Sequence, residues 1–368
     1  MFSQNTNNPA AIFNRNFFAG ARRLLTFGLL ALLIGQMLSV PLLAQGRIPA
    51  RKVQDETVFV NPLAKNDPRA QLDPQLLNAQ PMPEHSGQEQ AWNGAQEPTV
   101  VEYDMTTGRE TRTTGQTETL QNEDNVPFSG LPGLRPLTGD LELGGKQTQT
   151  ANYLCVDDKQ AKHNTWQYPW STQVKLYITF PNGHTYVGSG TIIASKYVIT
   201  HQNNVYYPAF GGLATRIEVI PGLDGNYKPF GSAYAVYLRY YYHGSANIGL
   251  LTLDRHIGHS TGWLGYGSFS DSYIAQHQGL IAGYPVSKDA GRVLYYDYGS
   301  VSVQSYDQAW VGVMFLPGEM GAGTYLRNSA GSRYVWGVSA NQYYCSTVVD
   351  RITNWIHSQF NYVISNGL

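Results

Sequence analysis

Few residue types can attack a carbonyl, move a proton or hold a metal ion, and each needs partners at a set spacing. The chain's nine histidines include no H-x3-H and no HExxH pair, the spacings that place two imidazoles on one helix face. No metal site is expected from them. No glycine loop of phosphate-binding form and no nucleic-acid motif is found, so neither a cofactor nor a nucleic-acid partner is expected. Two cysteines, Cys155 and Cys345, are too few for a disulfide scaffold but enough for one bridge. A dense set of tyrosines, Tyr234, Tyr237, Tyr240, Tyr241 and Tyr242, has two readings. It is strand packing with hydroxyls reaching water, or an adhesive edge for a peptide or glycan.

The elements that must position such residues come from 368 residues of formal net charge −1, a balance that gives no field for nucleic acid or anionic membrane. Arg22 and Arg23 precede an apolar run from Leu24 to Leu43, followed by Ala44-Gln45-Gly46. This pattern predicts a signal peptide over 1–45, cut near Ala44, and hence a secreted or periplasmic protein with no membrane contact after cleavage. An uncut anchor is the alternative, weakened by Gly28, Gly35, Gln36 and Pro41 within the run. Residues 46–150 are rich in Gln, Thr, Pro and Gly, and four aromatics (Phe59, Trp92, Tyr103 and Phe128) serve the whole stretch. Such a segment buries too little apolar surface to offset its ordering entropy, so a largely disordered acidic pro-segment or spacer is expected.

From Tyr153 the composition changes, with 25 of the 26 tyrosines beyond that point. Val174–Phe180 alternates apolar and polar residues, and Asn182-Gly183 supplies a hairpin turn. Short β-branched and aromatic runs follow at Thr185–Ile193, Tyr197–Thr200, Arg216–Ile220, Ala233–Leu238, Ile248–Leu253, Gly279–Gly283, Gly299–Val303 and Tyr334–Ser339. Many short strands with close turns predict an antiparallel sandwich or barrel. Ile352, Trp355, Ile356, Phe360, Val363 and Ile364 recur at helical spacing before Asn366-Gly367, predicting one C-terminal helix. The fold class is all-β with a terminal helix, over a domain at 151–368.

Several motifs in this domain stand in a specific order: Tyr168-Pro169-Trp170, Val187-Gly188-Ser189-Gly190-Thr191, Pro221-Gly222-Leu223-Asp224-Gly225, Pro229-Phe230-Gly231, Thr261-Gly262-Trp263 and Gly283-Tyr284-Pro285. In these, residues 168–368 resemble the glutamyl-endopeptidase-like branch of the trypsin/chymotrypsin serine proteases. The resemblance implies two packed antiparallel six-stranded β-barrels with a C-terminal α-helix. It also implies a Ser nucleophile, a His base and an Asp that orients the base. Here the frame after Val198-Ile199-Thr200 places Asn203 at the His position, with His201 as a gapped alternative. Asn247, before Ile248–Asp254, stands at the Asp position, and Met320 in Gly318-Glu319-Met320-Gly321-Ala322-Gly323 at the nucleophile. An amide takes up no proton near neutral pH, and a thioether has none to lose. A pseudoprotease is therefore expected.

Ser339 stands where glutamate-specific relatives place the His that reads the substrate carboxylate, so acidic specificity is not carried over. Ser189 is expected to be structural, and Ser329 and Ser332 to be turn residues. Gly318, Glu319 and Gly321 form the former oxyanion loop, which its glycines are expected to keep mobile or accessible. A Cys155–Cys345 bridge would close a loop of about 190 residues, worth roughly 4–5 kcal/mol by loop entropy. Three functions are weighed: a non-catalytic module binding a peptide or protein in the inter-barrel cleft, an active hydrolase using His201 and another serine, and a structural envelope or surface protein.

Overall fold

The computed structural model describes residues 62–83, 97–115 and 155–368. The expected signal peptide, and residues 46–61, 84–96 and 116–150 of the expected disordered segment, lie outside the described residues. Four peripheral strands come first: β1 Gln80–Pro81, β2 Thr99–Asp104, β3 Arg109–Thr114 and β4 Gln160–Lys162. Then follow β5 Gln173–Thr179, β6 Thr185–Ala194, β7 Tyr197–His201, β8 Tyr206–Tyr207, β9 Gly212–Leu213, β10 Arg216–Pro221, β11 Ala233–His243 and β12 Ala246–Leu253. Short helices α1 Gly258–Thr261 and α2 Asp271–Ala275 flank β13 Gly265–Tyr266. After them come β14 Gln278–Gly283, β15 Leu294–Val303, β16 Gln308–Val311, β17 Gly323–Arg327, β18 Arg333–Tyr343, β19 Ser346–Arg351 and the helix α3 Asn354–Ser365.

Hydrogen bonding runs β10-β5-β6-β7-β12-β11 and closes through β10 and β11, giving a first six-stranded antiparallel barrel. A second runs β18-β17-β14-β15-β16-β19 and closes through β18 and β19. Closure removes the exposed edges that an open sheet would present. This is the expected architecture. Gly183 has φ 80°, the left-handed conformation that the β5–β6 turn requires. One core cluster joins the barrels: Ile199 and Leu250 from the first, Leu280, Tyr325 and Val335 from the second, and Trp355, Ile356 and Phe360 from α3. Thr353 caps α3 by accepting a hydrogen bond from the Ile356 N–H at 3.3 Å.

The expectation of disorder is corrected for two stretches. β1 pairs in parallel with β6, and the β2–β3 hairpin lies antiparallel on β11, from Thr99 opposite Tyr242 to Asp104 opposite Tyr237. β10 covers only Ala233 and Tyr234 of the long β11, so its outer half is open to β2. Composition judged the segment as if it stood alone. On a preformed edge it needs only main-chain hydrogen bonds and a few anchors, here Val100 and Val101, both buried. Arg239, 2% exposed, adds a 2.6 Å ion pair to Glu102.

Cys155 and Cys345 are bonded, with Cα atoms 5.0 Å apart and a sequence separation of 190. Just after Cys155, Lys159 enters the interior and pairs with Glu319 at 3.1 Å, with both side chains at most 1% exposed. Glu319 also accepts the Leu316 N–H at 2.8 Å. Burial pushes the Glu319 carboxyl up, while the Lys159 ammonium and the Leu316 N–H pull it back. The pair ties the start of the domain to the loop that leads into β17.

Removing one partner leaves the other charge buried alone, so Lys159→Met should destabilise by about 3–5 kcal/mol in denaturant titrations. Adding Glu319→Gln, which keeps an acceptor for Leu316, should recover a large part of that loss. A double variant less stable than Lys159→Met would refute the pairing argument. In α3, His357 is 4% exposed, and burial holds its imidazole down to about 4. Its folded value lies below the unfolded one near 6.5, so the stability it supports is full above that pH and falls as pH drops toward 4. Unfolding midpoints should register a loss of about 3 kcal/mol across this window. His357→Gln should flatten that part of the profile.

Candidate functional site

Of the positions singled out in the sequence, Ser189, Met320 and Ser339 meet where the Gly318–Gly323 loop joins the first barrel. Ser189, in the middle of β6, organises the contact. Its N–H donates to Met320 O at 2.9 Å, and its hydroxyl donates to Gly318 O at 2.8 Å. The same oxygen accepts the Tyr284 N–H at 3.1 Å. Asn204 donates from Nδ2 to Met320 O at 2.9 Å and to Thr200 Oγ1 at 2.7 Å. Gly188 leaves room for that amide, because a Cβ there would lie 2.6 Å from Asn204 Nδ2.

Gly318 and Gly321 have φ of 101° and 86°. A Cβ on Gly318 would stand 2.5 Å from Tyr284 O, and one on Gly321 would strike Thr200 Oγ1 and Ser189 O. These glycines thus permit close packing, not freedom. Residues 318–326 are all buried. The expectation of a mobile or accessible loop is corrected: its carbonyls are held by Ser189, Asn204 and Ser339.

Met320 is 1% exposed and lies in the first-barrel cluster with Val205, Phe315 and Met82. Asn203 is buried, with its Nδ2 lacking a hydrogen-bond partner among the described residues. Asn247, half-buried, turns its Nδ2 to Ser245 O at 2.9 Å, and its N–H donates to Asp350 Oδ2 at 2.9 Å. Ser339 is buried and donates to Glu319 O at 2.6 Å, so its hydroxyl serves the loop.

His201 is fully buried at the end of β7. Its Nδ1 accepts the Asn203 N–H at 3.1 Å, which puts the proton of the neutral ring on Nε2. Nε2 faces Asp350 Oδ2 at 3.4 Å, across to the second barrel. Asp350, 1% exposed, also accepts Gln308 Nε2 at 3.0 Å. The ring and carboxylate therefore form an inter-barrel contact, with the acceptor nitrogen taken by backbone. Ser329 lies apart from this cluster, lining a second-barrel cavity of about 350 Å³ with His277 and Arg327. Ser332 donates its N–H to Asn328 Oδ1 at 2.8 Å within the β17–β18 turn.

The tyrosine run divides by strand alternation and register. Tyr240 and Tyr241 are buried, while Tyr234 is 36% exposed. Tyr237 donates to Asp104 Oδ2 at 3.2 Å, and Tyr242 accepts Gln202 Nε2 at 2.6 Å. Sequence reasoning missed Asn204, Asp350 and Lys159. Asn204 had a signal in the bare Gly188 of a strand that must face it. Lys159 had none, since an isolated lysine in a polar stretch reads as surface.

No protein-family model matches the chain. The extracellular metalloprotease of Bacillus subtilis (strain 168) is 25% identical over 197 residues, 50% of this chain and 62% of the relative. The glutamyl endopeptidase of Bacillus licheniformis is 31% identical over 144 residues, 37% of this chain and 42% of the relative. The chain thus spans less than two thirds of the length of either. A solved Glu endopeptidase aligns with a TM-score of 0.49 at 21% identity, over 58% of this chain and 99% of that one. The first relative's name speaks of a metal. Among the described residues, no group of three or more His, Cys, Asp or Glu side chains could hold one. The chain folds as two closed six-stranded barrels with a terminal helix, and over 144 residues it is similar in sequence to a glutamyl endopeptidase.

Proposed function

We propose that the protein is a pseudoprotease: it keeps the protease fold, performs no acyl transfer, and works by binding a peptide or protein segment in extended form. The observation that carries this is the state of the Met320 loop. The residue at the nucleophile position has a thioether, is 1% exposed and points into the first-barrel core. Asn203 and Asn247 supply neither a base nor a charge to orient one. His201, the alternative base, has its acceptor nitrogen occupied by the Asn203 N–H. Met320 and Asn203 are both buried, so this reading places binding at strand edges beside the loop. Strand addition at two such edges, on β6 and β11, supports this.

The expected secretion agrees with the Cys155–Cys345 bridge, which suits an oxidising compartment, and with the extracellular character named for the Bacillus subtilis relative. The purified chain should leave a fluorophosphonate probe unreacted and give no burst with a peptide ester. Loss of triad function costs roughly 10⁶ in kcat, and Met320→Ser alone should restore no measurable part of it. Stoichiometric labelling of the unaltered chain would overturn the proposal.

A further inference from the structure

The edge of β6 beside the Met320 loop is already taken by this chain. Gln80 and Pro81 pair in parallel with Tyr186 and Val187, and the Met82 N–H donates to Val187 O at 3.0 Å. Val187 is two residues before Ser189, which holds Met320 O and Gly318 O. The Met82 side chain, 2% exposed, joins the same apolar cluster as Met320 and Phe315. Upstream, the segment runs along the Asn226–Pro229 turn. Leu72 N–H donates to Asn226 O at 2.9 Å, Lys228 N–H to Ala70 O at 2.7 Å, and Leu63 N–H to Pro229 O at 2.7 Å.

We propose that residues 62–82 are a built-in ligand that caps this edge, so that a partner binds there only when the segment leaves. The proposal rests on the peptide-binding reading above and names its site and partner. Of residues 62–83, only Ala70, Leu72 and Met82 are buried. Main-chain hydrogen bonds, the three buried anchors, the partly buried Leu76 and Ala79 and the Tyr227 hydroxyl on Leu63 O hold the stretch, while Lys65, Asp73, Gln75 and Asn78 face water. That is the attachment of a docked peptide, separable from the barrel, not of a core strand. The partner is therefore an extended segment with a large apolar residue, such as Met or Leu, at the Met82 position. Pro81 before it has no N–H to leave unsatisfied at the edge. Competition between tethered and free segments follows effective concentration, so the intact chain should resist binding in trans.

The test uses the full chain and a fluorescent synthetic peptide of residues 74–83. Met82→Asp should expel the tethered segment and strengthen binding of this peptide at least tenfold over the unaltered chain. A peptide carrying the same Met-to-Asp change should not bind. Equal binding to both chains, or none to a folded variant, overturns the cap. If the folded variant instead takes up other extended peptides, the cap fails while the peptide-binding reading stands. If the variant reacts with fluorophosphonate, the pseudoprotease reading fails while the cap stands. Should Met82→Asp not fold, hydrogen exchange on the unaltered chain decides. The amides of Leu63, Leu72 and Met82 should exchange at least tenfold ahead of those in β5, β6 and β7, and exchange in step with those strands refutes the proposal.

Discussion

Ser189 is the point on which the rest of the site depends. Its N–H and hydroxyl hold the carbonyls of Met320 and Gly318, and its oxygen receives the N–H of Tyr284 from the second barrel. Its own carbonyl accepts Thr200 Oγ1 at 2.8 Å. A fully buried hydroxyl that both donates and accepts leaves nothing unsatisfied. The loop cannot rise without stranding several of these groups away from water, at about 1–3 kcal/mol each. Lys159 and Glu319 fix the same loop from the other side. Together they tie the loop to both barrels and to the start of the domain.

The same economy explains the N-terminal strands. A closed barrel has no free edge over most of its length, but strand lengths are unequal. β11 runs past the end of β10, and β6 begins at Thr185, with Tyr186 and Val187 uncovered by β7. These overhangs expose unpaired amides that invite another strand. β2 and β1 fill them from a segment too polar to form a core of its own. Glu102 reaching buried Arg239 turns one of these additions into charge neutralisation as well. The edge on β11 is covered by a full hairpin, whereas the one on β6 is covered by a two-residue strand, and that asymmetry makes the second the easier to vacate.

Much of the fold was legible in the sequence because its signals are local. Period-two alternation marked β5, Asn182-Gly183 marked the β5–β6 turn, and the spacing from Trp355 to Val363 marked α3. The strands β16, β17 and β19 gave weaker signals: Gln308–Val311 is short, and Gly323–Arg327 begins on a glycine chosen by packing against Thr191, not by strand propensity. The order of the N-terminal stretch was not legible, since it arises from edges that exist only after the barrels close. At the site, the residue types at 203, 247 and 320 could be read, but not their orientation. A side chain's partners across the fold, such as Asp350 for His201, are set by contacts between distant strands that no local pattern encodes.

His201 stands where the two barrels meet. In a working triad the imidazole must keep an acceptor nitrogen toward a hydroxyl. Here the acceptor nitrogen receives the Asn203 N–H, and the protonated one faces Asp350, which Asn247 and Gln308 also hold. The ring thus links the two barrels through its Nε2 side. Withdrawing that link would leave Asp350, 1% exposed, without the ring beside it. Restoring a hydroxyl at 320 meets a separate obstacle, because the side chain there points into the first barrel among Phe315 and Val205. Most of the hydrogen bonds around the site end on carbonyls of the loop, so the interactions that stabilise the site run through residues 318–322.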